Sequence, residues 1–223
     1  MTLTDVRIMA IAGLTLFVGV MSSGLANAQP EGSSPPPPSL AETLLTCTSC
    51  HGENGVGTLA APRLAGQNER YLREQMEHFK NGLRGQHPDD VMGQSMVEWV
   101  ADLDASQLDA LAAHFSTQEK PKLSEDPKFG ADTPAARGMA FFKNNCQSCH
   151  ASRHKGADAI YVPNVAILDA DYLKRQINGY RDGWRGGPGA SSRAKSMRQM
   201  AYQFADDQAV DDVVAYLALP DQD

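Results

Sequence analysis

The feature that most constrains this chain is a five-residue motif that occurs twice, Cys47-Thr48-Ser49-Cys50-His51 and Cys146-Gln147-Ser148-Cys149-His150, and that uses all 4 cysteines. Each copy sits at the same place in a longer repeat. Pro62 matches Pro163, Tyr71-Leu72 matches Tyr172-Leu173 and Gln75 matches Gln176; Gly82, Arg84 and Gly85 match Gly183, Arg185 and Gly186, and Met96 matches Met197, every pair being 101 positions apart. The Cys and His pairs are 99 apart, so the second half has gained two residues between His150 and Pro163. Self-similarity at a period near 100 residues indicates two tandem domains, because solenoid units are far shorter.

Both halves read as helical. Tyr71, Leu72, Gln75, Met76 and Phe79 fall on one helical stripe, as do Leu108, Leu111, Ala112 and Phe115, and again Val210, Val213, Val214 and Leu217. Ser39 and Glu42 form a capping box ahead of Cys47, Asp104 and Asp206 are caps for the later stripes, and Thr133 caps a helix with Pro134 at its first position. No run alternates as a strand does, so the expected fold is all-α. The expected boundaries are a signal peptide at 1–28, a Pro-rich spacer at 29–38, a first domain at 39–117, a linker at 118–132 and a second domain at 133–220.

The signal peptide rests on Arg7, the apolar run Ile8 to Val20 and the small-x-small site Ala26-Asn27-Ala28, which place cleavage after Ala28 and the mature start at Gln29. An apolar run of 13 residues is too short to span about 30 Å of hydrocarbon as a helix. Export to the periplasm would ordinarily favour disulfides. The spacing argues otherwise. C-x-x-C-H is the attachment signature of haem c: two thiols on one helical turn add to the vinyl groups, and the next residue reaches the iron. A zinc site would need the two pairs to converge, and a redox dithiol would not need the repeated histidine. The reading is therefore two covalent haem c groups, bound through Cys47, Cys50, Cys146 and Cys149, with His51 and His150 as proximal iron ligands.

A sixth ligand is expected to be methionine, whose thioether suits an electron-carrying iron. The candidates are Met92 and Met96 in the first half and Met197 and Met200 in the second. Met96 precedes Leu103 by seven residues and Met197 precedes Phe204 by seven, whereas Met92 and Met200 have no methionine counterpart in the other half, so the repeat selects Met96 and Met197. His78, His87 and His114 read as surface residues. Pro62 and Pro163 lie where a backbone carbonyl can accept the imidazole Nδ1–H. Arg84 and Arg185, ahead of the loops expected to carry the methionines, are either propionate partners or solvated loop residues.

The two motifs, the stretch Pro62-Arg63-Leu64-Ala65-Gly66-Gln67 leading into Tyr71-Leu72, and the spacing after Met96 and Met197 together resemble the diheme cytochrome c4 family. The resemblance implies two class I cytochrome c folds related by a pseudo-twofold, with the haems close at the interface. It also implies electron transfer from a quinol:cytochrome c reductase or periplasmic dehydrogenase to a terminal oxidase, with peripheral association with membrane complexes. The second half departs from the pattern with Asn164-Val165-Ala166-Ile167 in place of Leu-Ala-Gly-Gln. Gly138 and Phe142 suit close packing of the first and last helices of the second domain, whereas Ser39 and Thr43 at the equivalent places imply a looser contact in the first. A net charge of −7 argues against nucleic acid as a partner. The competing role is the haem subunit of a dehydrogenase, such as a sulfide-oxidising flavocytochrome. A diheme peroxidase would need one iron without methionine. Mass spectrometry of the mature protein should give a Gln29 start plus two haem additions and no disulfide.

Overall fold

A computed structural model describes residues 39–121, 129–151, 156 and 158–218; the signal peptide, the spacer and the middle of the linker lie outside these. In the first half α1 spans Leu40–His51, α2 Glu69–Lys80, α3 Val91–Val100 and α4 Ala105–Ser116. In the second, α5 spans Pro134–Asn145 and α6 Gln147–His150, and these are followed by α7 Ala170–Arg181, α8 Ser192–Ala201 and α9 Asp207–Leu217. Short 3-10 turns at Glu53–Gly55 and Asp158–Ile160 follow the two motifs. The described residues contain no strand.

Chain chemistry sets where these helices start. Ser39, Asn68, Asp90, Asp104, Thr133, Asp169, Ser191 and Asp206 each accept a hydrogen bond from the backbone N–H three residues on, satisfying a donor the first turn would otherwise leave unpaired. Ser39 with Glu42 and Asp104 with Gln107 complete capping boxes. The caps at Asp90 and Ser191 correct one expectation: Met96 and Met197 lie within α3 and α8 rather than on loops.

Each half closes over its own core. Leu72, Phe79, Val100, Leu108, Leu111 and Phe115 pack together in the first, and Phe142, Leu173, Ile177, Val210, Val213 and Leu217 in the second. The packing of first helix on last differs between them, as expected. Gly138 lets α5 lie directly on α9: a Cβ there would stand 1.9 Å from the Asp212 carbonyl oxygen. Beside it Arg137 holds the Asp212 carboxylate at 2.7 Å through both Nε and Nη2. In the first half Ser39 and Thr43 occupy the equivalent places, and α1 packs less closely against α4.

The halves are joined by hydrogen bonds between facing groups. The buried Gln67 amide donates to the Asn164 carbonyl at 2.9 Å and accepts from the Asn164 N–H at 2.8 Å, reading the opposite backbone as a strand neighbour would. Arg193 of α8 reaches Glu74 of α2 at 3.0 Å, and Arg70 of α2 bonds the Tyr161 hydroxyl. Tyr161 has φ 59° and lies under both guanidinium groups, with Arg70 4.4 Å and Arg193 5.1 Å from its ring centroid. A bulky residue held in the left-handed region implies that surrounding contacts fix it there.

Gly138→Ala should destabilise the second half by about 1–3 kcal/mol, because α5 must move off α9, and thermal unfolding should show that half melting first. The Asp212 carboxyl is held below its ordinary value of 3.8, first by the Arg137 hydrogen bonds. Its contribution is therefore present above pH 3.8 and lost as pH falls through the lower folded value. Asp212→Asn should remove that part of the acid dependence, as a pH series of unfolding midpoints will show.

Candidate functional site

Each half contains a cleft walled by its motif helix on one side and its methionine helix on the other. The first is lined by Cys47, Cys50 and His51 of α1, by Leu72 and Phe79 of α2, and by Met92, Met96 and Trp99 of α3. The second is lined by Cys146, Cys149 and His150, by Leu173 and Ile177 of α7, and by Met197 and Met200 of α8. Their empty volumes, counted out to the mouth, are about 1310 and 1620 Å³. Such clefts suit a large flat cofactor rather than a single ion. The clefts share a wall: Tyr71, Gln75, Leu168, Tyr172 and Gln176 line both.

The motif residues are arranged for the chemistry their spacing implies. The four thiols are free, one pair in each cleft. Burial pushes the Cys47 thiol up and Cys146 up to about 12. Among the described residues no group of three or more His, Cys, Asp and Glu is gathered for a metal ion. The His51 Nδ1–H donates to the Pro62 carbonyl at 2.8 Å, and His150 to Pro163 at 3.3 Å. Burial, only partly offset by these carbonyls, keeps both imidazoles below their ordinary value and so neutral. The hydrogen bonds fix the tautomer and leave Nε2 as the ring nitrogen able to coordinate.

The shared wall holds the group that sequence reading underestimated. Arg84 and Arg185 are not solvated: both are 5% exposed. Arg84 donates to Gln75 Oε1 and Gln176 Oε1, each at 2.9 Å. Arg185 donates to Gln176 Oε1 at 2.6 Å and Gln75 Oε1 at 2.7 Å. Exchanging every residue with its partner 101 positions away returns the same four bonds, as a twofold axis through the cluster requires. Gly85 and Gly186, at φ 73° and 70°, let the chain after each arginine lie against the methionine helix. A Cβ there would fall 2.3 Å from the Gly93 carbonyl oxygen and 2.5 Å from that of Ala194.

This cluster also tests whether a haem fits. Arg84 lines the first cleft and Arg185 the second. The Nε–H of each is buried without a hydrogen-bond partner, and the four bonds of the cluster are to neutral amides. Arg84 also lies 4.1 Å over the Phe79 ring and Arg185 4.3 Å over the Tyr180 ring, and the spare Nε–H of each guanidinium at a cofactor cleft suits an anionic acceptor. The propionates of a haem are such acceptors, so the residues fit the group. The candidate methionines are all at the clefts, Met96 and Met197 half-buried and Met92 exposed at 52%.

The spare histidines are elsewhere. His78 is buried rather than on the surface, 3.6 Å from Glu74; its place in α2 faces the other half, which the stripe Leu72, Gln75 and Phe79 did not reveal. His87 stacks on Trp184 with ring centroids 4.1 Å apart, and His114 meets Phe115 edge-on. None of the three lines either cleft. Sequence reading missed Gln75 and Gln176 as functional residues, although both stand in the repeat.

Comparison with known proteins agrees with this geometry. A family model described as cytochrome c matches residues 40–119 and again 135–219. The chain is 29% identical over 195 residues to cytochrome c4 of Azotobacter vinelandii, covering 84% of this chain and 89% of that one. It is 28% identical over 189 residues to the thiosulfate dehydrogenase electron acceptor of Thiomonas intermedia, covering 81% and 78%. The crystal structure of reduced recombinant cytochrome c4 from Pseudomonas stutzeri superposes with a TM-score of 0.65 at 25% identity, covering 80% of this chain and 95% of that one. With both halves matched and each built around a Cys-x-x-Cys-His helix, the chain belongs to the cytochrome c family as a tandem pair of domains that bind two covalent haem c groups, and it resembles the electron-transfer proteins named cytochrome c4.

Proposed function

We propose that this protein is an exported, periplasmic diheme electron carrier, with its signal peptide cleaved after Ala28, that takes electrons from a quinol-oxidising complex or a dehydrogenase and delivers them to a terminal oxidase. The observation that carries this reading is the wall common to the two clefts. Tyr71, Gln75, Leu168, Tyr172 and Gln176 belong to both, which supports two redox centres working side by side in one body.

Haem supplies a reversible one-electron iron couple. The chain's own residues supply the rest. Cys47 and Cys50, and Cys146 and Cys149, anchor each group; His51 and His150, oriented by the Pro62 and Pro163 carbonyls, offer neutral Nε2 to the iron. Met96 and Met197, on the helices across each cleft, would offer the thioether, which would favour electron transfer over binding of small molecules. Arg84 and Arg185 would hold the propionates, and the apolar side chains of the clefts would keep water from the irons.

A second reading has a specific support. Relatives named thiosulfate dehydrogenase electron acceptors cover most of this chain, so the donor would then be a periplasmic sulfur-oxidising dehydrogenase, and the protein its dedicated acceptor. Isolation in fixed stoichiometry with a catalytic subunit would favour this reading over a freely diffusing carrier.

Both irons should show the weak near-infrared sulfur-to-iron band when oxidised. Met96→Ala and Met197→Ala should each remove one haem's share, whereas Met92→Ala and Met200→Ala should leave the band intact. Loss of the second haem's band in Met200→Ala would place the ligand one helical turn further along. In kinetic assays a quinol:cytochrome c reductase should reduce the protein and a haem-copper oxidase should reoxidise it, both more slowly as ionic strength rises.

A further inference from the structure

The internal repeat allows the two cleft mouths to be compared position by position, and they differ in chemistry. Around the first mouth Leu59 is fully exposed at 104%, Val91 at 61%, Trp99 at 59% and Met92 at 52%. Met92 and Trp99 line the cleft itself, and Leu59 and Val91 adjoin the lining residues Ala60 and Met92. At the matching positions of the second half stand Ile160, Ser192, Met200 and Arg193. Only Ile160 keeps an exposed apolar side chain. Arg193, the counterpart of Met92, is engaged with Glu74 and lies over Tyr161, so the rim of the second cleft is tied to the first half.

The charges divide in the same way. From Gly85 to Glu119 the chain has no Lys or Arg but carries Asp89, Asp90, Glu98 and Asp102 around α3. From Gly183 to Ala205 it has no Asp or Glu but carries Arg193, Lys195 and Arg198 on α8. The segment that carries one methionine helix is therefore acidic and the segment that carries the other is basic. Arg63 and Arg175 also line the first cleft, and Lys80 bonds the Ala101 carbonyl at the end of α3, so the acidic bias lies on the α3 side of the mouth, beside the exposed apolar cluster. An apolar centre that supplies contact with a charged flank that supplies steering is the usual form of a transient docking face.

We propose that the mouth of the first cleft, centred on Leu59, Val91, Met92 and Trp99, is the docking face for a redox protein whose own contact surface is apolar and rimmed by lysine and arginine. This rests on the electron-transfer reading above and adds which of the two haems meets that partner. Electrons exchanged with a basic partner pass at the first haem and reach the second across the Arg–Gln wall.

The test is stopped-flow electron exchange between the intact haem-loaded protein and a small lysine-rich mono-haem cytochrome c, with ascorbate reduction measured alongside. Met92 and Trp99 also shape the cofactor cleft, so the variants are Leu59→Ser with Val91→Ser, both exposed. This pair should slow exchange at low salt about fivefold while leaving ascorbate reduction and the visible spectrum unchanged. Asp89→Asn with Glu98→Gln should flatten the salt dependence. Lys195→Ser on α8 should leave the rate as it was. The proposal is overturned if the Leu59 and Val91 pair exchanges as fast as the parent, if neutralising Asp89 and Glu98 leaves the salt dependence unchanged, or if Lys195→Ser alone changes the rate. Failure of the parent protein to take electrons from ascorbate would instead overturn the electron-transfer reading itself.

Discussion

Two buried guanidinium groups sharing two glutamine oxygens hold this molecule in its working arrangement. Arg84 and Arg185 each spend both Nη groups on Gln75 and Gln176, so neither half can complete its own set of bonds without the other. A cluster with two positive charges and only neutral acceptors is costly to bury. The unpaired Nε–H of each arginine, one at each cleft, is where an acidic group of a bound cofactor would offset that cost. Assembly of the two halves and binding of the two cofactors are thus one electrostatic problem.

The remaining contacts between the halves divide the two clefts into unequal roles. Gln67 pairs with the Asn164 backbone close to the cluster, and Arg193, Tyr161 and Arg70 bridge the outer edge on the side of the second cleft. Those polar contacts consume the positions that in the first half remain exposed and apolar. The twofold relation therefore holds at the centre, where the four bonds are equivalent, and is broken at the rim. Duplicated domains diverge most readily where contacts face solvent or partners, because core positions are constrained by packing.

Much of this was legible in the chain. The motif spacing, the 101-residue register and the helical stripes carried the fold, the covalent anchors and the candidate ligands, because each depends on local periodicity or on chemistry within a few residues. Gly138 and Phe142 foretold the tight α5–α9 contact for the same reason: a missing Cβ on a helix has few other uses. What could not be read was decided across the molecule. The burial of Arg84 and Arg185 depends on glutamines from both halves, the burial of His78 depends on what faces α2, and the strained Tyr161 depends on arginines from two different helices. The helices carrying Met96 and Met197 were missed although their caps, Asp90 and Ser191, were in plain view, since neither is followed by a long apolar stripe.

If the Arg–Gln cluster joins the two halves and also meets the acidic groups of both haems, a crystal structure of the haem-loaded protein will retain all four Arg–Gln bonds, with a haem carboxylate accepting from the Nε–H of Arg84 in the first cleft and of Arg185 in the second. Arginines turned out to solvent, or haem carboxylates paired only with other groups, would contradict it.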